Sequence, residues 1–472
     1  MIKLGPVGRL LQIVPILALL SLLIGCDGIF TAFRNKQTKS PADHRKMFLN
    51  KRASFYKTNK KSQDIVELTS PRIAAWYQGG GNSSNNPGHL LLNTGFGRRL
   101  WKVAAGQIGG KKPTVHDRTS ISSMITTSGA YLNFTKRKGY ILARPISAGG
   151  RVFVYDQNGN VSSSLLSNGR KLWSVNLSPK NLSSIATNGG GLATDGKAVY
   201  VATGFGNIIA LQLNTGALLW KKKIPVPAQG SLAIGLDKVY FVTQNNDIIA
   251  LNVSDGSKAW EFRGFPGGPG AIVNLTNPAI AEDYLVAPLT SGELIALDAK
   301  TGKLVWRVVL STNTFTALAG IVGTSSTPAI DSGIVYVTGA FNSTIAFHLE
   351  DGYKLWEIEI GSVHTPIVSG NTVFIVDMNN IVSAVNSKTG NLIWSLQLPP
   401  YYQEDRSVSW GGPVLANGKL WLSSSHGSLV AIDAKSGRPL LSKKVGHTLA
   451  HPIVAHGRLL LLNEDGFLEA FD

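Results

Sequence analysis

Three histidines lie close together near the C terminus: His447, His451 and His456, in "GHTLAHPIVAHG". Imidazole nitrogens are common zinc ligands, so the cluster suggests a metal site. The intervening "PIVA" has the composition of a β-strand, however, and a strand extends by about 3.3 Å per residue. His451 and His456 would then lie about 16 Å apart, which excludes a metal ion bound by both. We therefore expect no metal site here.

The only cysteine of the chain, Cys26, ends the sequence "LIGC". Two basic residues, Lys3 and Arg9, and an apolar run over residues 10–23 precede it, which is the layout of a secretory signal. The small residue before the cysteine also resembles the lipobox of bacterial lipoproteins, in which the thiol is acylated and becomes residue one. A lone thiol forms no internal disulfide. We predict a signal peptide over residues 1–25 and lipid attachment at Cys26; the alternative is a membrane anchor with an incidental cysteine.

Sequence motifs for enzyme chemistry are missing. The chain has no phosphate-binding G-x-x-x-x-G-K-[ST] motif and no G-x-S-x-G nucleophile elbow at a strand-to-helix junction. Its 28 Asp and Glu residues form no recognisable motif with Ser or His. Tyr401 and Tyr402, in "LPPYYQEDRSVSW", are the best candidates for glycan contact, although this composition also suits a long loop. We expect no catalytic residues.

The formal net charge is +18, and removal of the signal peptide with its two basic residues leaves +16. Ten Lys and Arg residues against two acidic residues, Asp27 and Asp43, lie between residues 27 and 62. This tract has no sustained hydrophobic period, so we interpret residues 26–72 as a basic flexible tether. It would either lie against anionic headgroups or remain solvated. Basic charge also suggests nucleic acid, but an exported protein rarely meets it, so we expect none.

Near-copies of one stretch recur along the chain, as in "LQLNTGALLW", "LNVSDGSKAW" and "LDAKTGKLVW". Each copy joins a short apolar strand, an Asp- or Asn-rich turn ending in Gly, and a strand that carries Trp, which is an all-β signature. Gly precedes Trp by four positions in the pairs Gly97–Trp101, Gly169–Trp173, Gly216–Trp220, Gly256–Trp260, Gly302–Trp306, Gly352–Trp356 and Gly390–Trp394. An eighth copy has Leu441 in place of Trp.

The two ends of the chain complement each other. Trp101 has no apolar partner strand before it, and the last such strand, near Phe467, has no Trp strand after it. The N-terminal strand can therefore complete the sheet that begins at Phe467. A repeat period of about 37 to 51 residues suits four-stranded blades. We predict an all-β fold: an eight-bladed β-propeller over residues 73–472, closed by this pairing, with the Trp side chains packed between blades.

These repeats resemble those named after pyrroloquinoline quinone enzymes, which two families share. One contains quinone-dependent dehydrogenases, and the other is the BamB family, lipoprotein components of the outer-membrane β-barrel assembly machinery. The second resemblance is closer and covers residues 75–472, through "WYQGGGNSSNNPGHL", "GGGLATDGKAVYVATGFGNIIAL" and "SWGGPVLANGKLWLSSSHGSLVAID". Two features depart from that family: a long basic stretch from Gly106 to Tyr140, and Asp27, which resembles a signal for retention in the inner membrane.

The resemblance implies a non-enzymatic lipoprotein scaffold on the periplasmic face of the outer membrane. It would bind the periplasmic domains of the barrel-assembly pore subunit, and unfolded outer-membrane proteins would be further partners; no cofactor is implied. Two alternatives stay open: a quinone-dependent dehydrogenase, and a lipoprotein that binds peptide or glycan at the axial funnel. The dehydrogenases bind quinone and Ca²⁺ at the axis, often beside adjacent cysteines, whereas Cys26 is the only cysteine here and no segment offers assignable Ca²⁺ ligands.

In the BamB family, loops from two consecutive central blades meet the pore subunit. By blade position, the matching segments here are Phe265 to Asn277 and Phe315 to Thr327. Each follows a Trp strand and carries an apolar cluster of the kind that marks partner sites. The predicted partner-binding residues are Ile272, Val273, Leu275, Leu318, Ile321 and Val322. The alternative is that these residues belong to buried inner strands of the blades.

Overall fold

The computed structural model describes residues 59–60, 64–93, 98–105, 143–156, 158–179, 190–266, 276–310, 326–339, 343–399, 408–446, 451–463 and 466–472. The regular elements in these ranges are β-strands, numbered β1 to β33 in chain order. No helix in the described ranges is long and apolar enough to cross a membrane.

The strands form eight antiparallel sheets, which we number as blades 1 to 8 in chain order. Blade 1 contains β3 (Ile146–Ala148), β4 (Arg151–Tyr155), β5 (Asn160–Leu165) and β6 (Lys171–Asn176). Blade 2 contains β7 (Gly190–Thr194), β8 (Ala198–Thr203), β9 (Asn207–Gln212) and β10 (Leu218–Lys223). Blade 3 contains β11 (Ala233–Gly235), β12 (Lys238–Val242), β13 (Asp247–Asn252) and β14 (Lys258–Arg263). Blade 4 contains β15 (Ala279–Ala281), β16 (Tyr284–Pro288), β17 (Glu293–Asp298) and β18 (Leu304–Val309).

The second half of the ring repeats this pattern and includes two strands from the N-terminal part of the chain. Blade 5 contains β19 (Ala329–Asp331), β20 (Ile334–Gly339), β21 (Ser343–His348) and β22 (Lys354–Ile358). Blade 6 contains β23 (Ile367–Ser369), β24 (Thr372–Val376), β25 (Ile381–Asn386), β26 (Leu392–Gln397) and β1 (Asn59–Lys60). Blade 7 contains β27 (Trp410–Ala416), β28 (Lys419–Ser424), β29 (Ser428–Asp433) and β30 (Pro439–Lys444). Blade 8 contains β31 (Ile453–Ala455), β32 (Arg458–Leu462), β33 (Phe467–Phe471) and β2 (Arg99–Ala104).

Blade 8 closes the ring from both ends of the chain. β2 pairs antiparallel with β33, which places Trp101 opposite Ala470 and Lys102 opposite Glu469. The first strands of neighbouring blades contact each other around the axis, as β11 contacts β15 and β15 contacts β19. The predicted eight-bladed propeller, completed by the N-terminal strand, is confirmed.

Each repeat Trp packs against the next blade, as predicted. The indole Nε1 atoms donate hydrogen bonds to backbone carbonyls there: Trp101 to Leu166, Trp173 to Leu213, Trp220 to Val253, Trp260 to Ala299, Trp306 to Leu349, Trp356 to Ser387 and Trp394 to Ala434. In this arrangement the ring is buried in six of the seven and half-buried in Trp173, and its single polar group is satisfied. The seven indoles therefore belong to the core between blades.

Burial falls from the inside of each blade to its outer edge. Every residue of β8 is buried, whereas Trp220 is the only buried residue of β10. Strands that are covered on both faces favour continuous apolar sequence, and those covered on one face alternate. The outermost strands therefore present most of their side chains to solvent.

Candidate binding surfaces

Residues 74–93, which we call the strap, hydrogen-bond to all eight blades around one end of the axis. Their partners are the first strand of each blade or, in blade 8, the turn after it. From blade 1 to blade 8 the pairs are Trp76–Ser147, Tyr77–Thr194, Gln78–Ile234, Ser83–Ile280, Ser84–Ile330, Asn86–Val368, Leu90–Leu415 and Asn93–Gly457. The strap thus ties the inner strands together into one layer across the axis.

The composition of the strap explains how it fits. Gly81 has φ +96°, a conformation that side chains rarely adopt. A Cβ at Gly80 would collide with the side chain of Asn85. The side-chain amide of Asn86 makes the two hydrogen bonds to Val368 that a neighbouring strand would make. Its Oδ1 accepts from Val368 N at 3.0 Å, and its Nδ2 donates to Val368 O at 3.2 Å. Small residues therefore allow close approach, and amides supply the paired donors and acceptors.

A buried polar cluster lies next to the strap. Arg144 donates from Nη1 to the carbonyl of Gly79 at 3.1 Å, and its Nη2 lies 3.0 Å from Nδ1 of His451. The His451 ring meets the His364 ring edge to face, with centroids 4.6 Å apart. Nε2 of His451 and Nδ1 of His364 are buried and have no hydrogen-bond partner. Two imidazoles from blades 6 and 8 therefore meet beside one guanidinium.

Burial decides the charge of these histidines. It lowers the pKa of His364 to about 4, and the positive charge of Arg144 acts in the same direction. Burial also holds the pKa of His451 well below its ordinary value, and Arg144 and His364 add to this effect. Both rings are therefore neutral at neutral pH.

The cavity beside this cluster is too small for a cofactor. Its volume is about 20 Å³, and Trp76, Asn85, Arg144 and His451 are among its lining residues. A cavity of this size holds about one water molecule. No group of three or more His, Cys, Asp or Glu side chains in the described ranges is placed to hold a metal ion. The residues next to the strap therefore do not fit a tricyclic quinone with Ca²⁺.

The histidine cluster near the C terminus separates as its spacing predicts. β31 lies between His451 and His456, where we expected a strand. His451 belongs to the axial cluster, whereas His456 has φ +47° in the following turn and donates its backbone N–H to Ala74. His447 lies outside the described residues. The contact that sequence reasoning missed is with His364, which comes from blade 6 and has no local signal near His451.

The six predicted partner-binding residues all lie outside the described residues, as do Cys26, Tyr401 and Tyr402. The flanks of the two predicted loops are described, however. Phe265 begins the first loop and is 59% exposed, and Val309 precedes the second and is 60% exposed. Arg307 lies over the Phe265 ring, with its Cζ 5.0 Å from the centroid. Its Nε lies 3.4 Å from Oε1 of Glu293. Blades 3 and 4 therefore each expose one apolar side chain beside the loops, and Arg307 of blade 4 contacts the one on blade 3.

Both the sequence and the fold are similar to those of known proteins. Residues 148–396 and 378–472 match the family model described as "Outer membrane protein assembly factor BamB". The chain belongs to the BamB family. The BamB of Yersinia pestis is 28% identical over 352 residues, which are 70% of this chain and 84% of that protein.

Solved structures support the BamB fold. BamB from Moraxella catarrhalis superposes with a TM-score of 0.61 at 18% identity and covers 70% of this chain and 96% of that one. A europium-containing methanol dehydrogenase gives a TM-score of 0.58 at 13% identity and covers 83% of this chain and 88% of that one. These identities support the shared propeller alone, so the family model is what separates BamB from the dehydrogenases.

Proposed function

We propose that this BamB family member is a non-enzymatic lipoprotein scaffold that aids the folding and insertion of outer-membrane β-barrel proteins. The match of residues 148–472 to the BamB model carries the proposal. The Yersinia pestis relative is named an outer membrane protein assembly factor. The mechanism would be binding alone, to the periplasmic domains of the assembly pore subunit, with unfolded outer-membrane proteins as further partners.

The filled axis favours this proposal over the quinone-dependent dehydrogenase. Such an enzyme needs room for its cofactor at the axis, and the strap with the Arg144–His451–His364 cluster leaves a cavity of about 20 Å³ there. Titration of the purified protein with pyrroloquinoline quinone and Ca²⁺, followed by absorbance and calorimetry, should show no saturable binding. Micromolar binding together with dye-linked alcohol or sugar oxidation would make the dehydrogenase the better assignment.

The N-terminal part of the proposal rests on the sequence. Residues 1–25 would be the signal peptide, Cys26 the lipidated residue, 26–72 the basic tether, and 73–472 the propeller. The protein would sit at the periplasmic face of the outer membrane, with Asp27 favouring inner-membrane retention instead. Mass spectrometry of the mature protein should find acyl chains on Cys26, and a Cys26→Ser variant should lose them. An unmodified Cys26 in the mature protein would overturn the proposal that lipid is attached there.

The docking surface would be the segments from Phe265 to Asn277 and from Phe315 to Thr327, together with the described residues beside them. Phe265 and Val309 support this placement, because two exposed apolar side chains flank the loops on neighbouring blades. The experiment that tests the function is gentle detergent purification of the tagged native protein, followed by identification of the proteins that copurify. Barrel-assembly subunits support the proposal, whereas a dehydrogenase electron-transfer partner in their absence would overturn it.

A further inference from the structure

The two halves of the ring carry opposite charge. Blades 7, 8, 1 and 2 are consecutive around the ring. Their described residues include 17 Lys and Arg residues and 5 Asp and Glu residues, a net charge of +12. In the described residues between positions 225 and 399, which form blades 3 to 6 apart from β1, there are 8 basic and 14 acidic residues, a net charge of −6. We call the first group of blades the basic half and the second the acidic half. A separation of this size produces a strong field on one side of the molecule.

The outermost strands account for much of the difference. In the basic half they carry eight cations and no carboxylate: Arg99, Lys102, Lys171, Lys221, Lys222, Lys223, Lys443 and Lys444. In the acidic half, the equivalent strands β14, β18, β22 and β26 carry four cations and two carboxylates, and β1, which pairs outside β26, adds Lys60. The cations on the outermost strands of the basic half therefore lie on the rim of the ring, where a binding partner can reach them.

A cleft concentrates this charge between blades 7 and 8. It has a volume of about 460 Å³, and its lining includes Arg99, Lys102, Lys443, Lys444 and Glu469. Glu469 is the one carboxylate in that lining. It is shared by Arg99 and Lys102, with N–O distances of 3.4 Å to each. The four cations and one carboxylate among the described lining residues sum to a charge of +3, and cations of this kind bind phosphate groups.

The chain reaches the ring next to this half. β1 pairs with β26 on the outer edge of blade 6, with Lys60 opposite Trp394, and blade 6 adjoins blade 7. Asp64 and Glu67 continue along the same blade, through contacts with Asn386 and Asn371. Cys26 precedes β1 by 33 residues, which span up to about 110 Å when extended. A connection with this maximum length does not by itself determine which side of the ring faces the membrane.

We propose that the basic half of the rim docks on the phosphate groups of anionic lipid headgroups, in part through the cleft of Arg99, Lys102, Lys443 and Lys444. The charge complementarity between these cations and anionic headgroups favours a lipid surface. The acidic half then faces away from the membrane, and it carries Phe265 and Val309. The docking surface of the proposed function is thereby directed toward the periplasm.

The strength of this contact follows from its charges. Each basic residue near an anionic membrane contributes roughly fivefold in affinity, within a Debye length of about 8 Å at physiological salt. Removal of two exposed lysines should therefore weaken docking by more than tenfold. At about 1 M salt, where the Debye length is about 3 Å, docking should be lost.

The test uses the full lipidated chain in vesicles. Because Cys26 is the only cysteine and is acylated in the proposed mature form, a single introduced thiol can be labelled selectively. Leu440→Cys places a donor dye on the basic half, and Tyr353→Cys places it on the acidic half; the two native side chains are 41% and 69% exposed. Energy transfer to an acceptor lipid is then measured in phosphatidylcholine vesicles with and without phosphatidylglycerol.

With phosphatidylglycerol at low salt, transfer from position 440 should exceed transfer from position 353 at least twofold. Pure phosphatidylcholine or high salt should abolish the difference. Lys443→Gln combined with Lys444→Gln should lower the docked fraction at least tenfold, while the control pair Lys300→Gln and Lys303→Gln on the acidic half leaves it unchanged. Circular dichroism melts verify that both variants fold.

Equal transfer from the two positions in anionic vesicles would overturn the proposal. So would tighter binding of a short DNA duplex than of the anionic vesicles at the same salt concentration, because the basic half would then be a nucleic-acid surface. Copurification of pore subunits with the lysine variant is measured in parallel. The proposed scaffold function and the lipid contact can therefore fail independently.

Discussion

The indole of Trp220 lies against the Cα of Gly256 in the next blade, so closely that a Cβ at position 256 would come within 2.5 Å of Cε3. The same Trp donates from Nε1 to the carbonyl of Val253 at 2.8 Å. Gly256 has φ +70°, which glycine adopts without strain. The Gly-to-Trp repeat therefore contains both partners of an interface. The glycines that contact the Trp of the preceding blade in this way are Gly169, Gly216, Gly256, Gly302, Gly352 and Gly390.

Gly256→Ala tests this interface. The variant should lower the free energy of unfolding through two effects, about 1–2 kcal/mol for a side chain in the left-handed region and about 1–3 kcal/mol for overpacking against Trp220. Gly333→Ala is the matched control, because Gly333 has φ +74° and no neighbouring atom within 4 Å of its Cβ position. Denaturant unfolding should show the larger loss for Gly256→Ala. Equal losses would mean that the backbone conformation alone requires glycine.

The repeat made the ring predictable, because turn chemistry and Trp position are local in sequence. Trp101 and Phe467 lie at opposite ends of the chain, yet counting strands was enough to pair β2 with β33. The strap was not predictable in the same way. Its contacts, such as Asn86 with Val368, join residues that are far apart in sequence and depend on the finished ring. The polar composition of "GGGNSSNN" indicated a loop and gave no indication of its eight partners.

The strap makes a second prediction possible. Asn86 is 5% exposed and bonds to both Val368 and Asp331, so Asn86→Ala leaves the buried N–H of Val368 without its partner. An unsatisfied buried group of this kind costs about 1–3 kcal/mol. Asn245→Ala, at an exposed turn, should change stability by less than about 0.5 kcal/mol. Thermal melts of both variants measure the difference; indistinguishable melts would show that the strap rests on the ring without stabilising it.

Acid should destabilise the ring through the axial histidines. The pKa of His364 is about 4 in the folded protein and about 6.5 in an unfolded chain, so the unfolded state binds more protons between these values. The stability is fully present above about pH 6.5 and is lost as the pH falls toward 4. His364 alone should remove about 2 kcal/mol between about pH 7 and pH 5.

A His364→Gln variant isolates this contribution. Whatever its stability at neutral pH, its free energy of unfolding should depend less steeply on pH than that of the wild type. Denaturant titrations at several pH values give the two slopes. Parallel slopes would show that His364 is not a buried neutral group in the folded protein.

The axial cluster and the separation of charge between the two halves of the ring could not be predicted from the sequence. His451 was compared with its neighbours along the chain, whereas its actual partner, His364, comes from another blade. The sequence places much of the basic charge in the tether, although the described residues of the folded ring, apart from β1, carry +12 in one half and −6 in the other. Both features depend on which blades are neighbours, which becomes known once the ring is closed.

The surface on blades 3 and 4 gives the last prediction, which rests on the proposed function. Phe265 and Val309 are exposed apolar side chains, and Arg307 lies against the Phe265 ring. Interfaces of this kind depend on a few such residues, whose truncation costs about 2 kcal/mol or more. Phe265→Asp and Val309→Asp should therefore each weaken copurification of the pore subunit at least tenfold, the factor that about 1.4 kcal/mol represents.

Leu218→Asp is the matched control for this experiment. Leu218 is 61% exposed on the outer strand of blade 2, so it has similar exposure but belongs to the basic half of the ring. It should copurify the pore subunit at the wild-type level. Because all three side chains are exposed, none of the substitutions should change the circular dichroism melt. If Leu218→Asp alone reduces copurification, the basic half binds the pore subunit, and the orientation proposed for the ring at the membrane must be reversed.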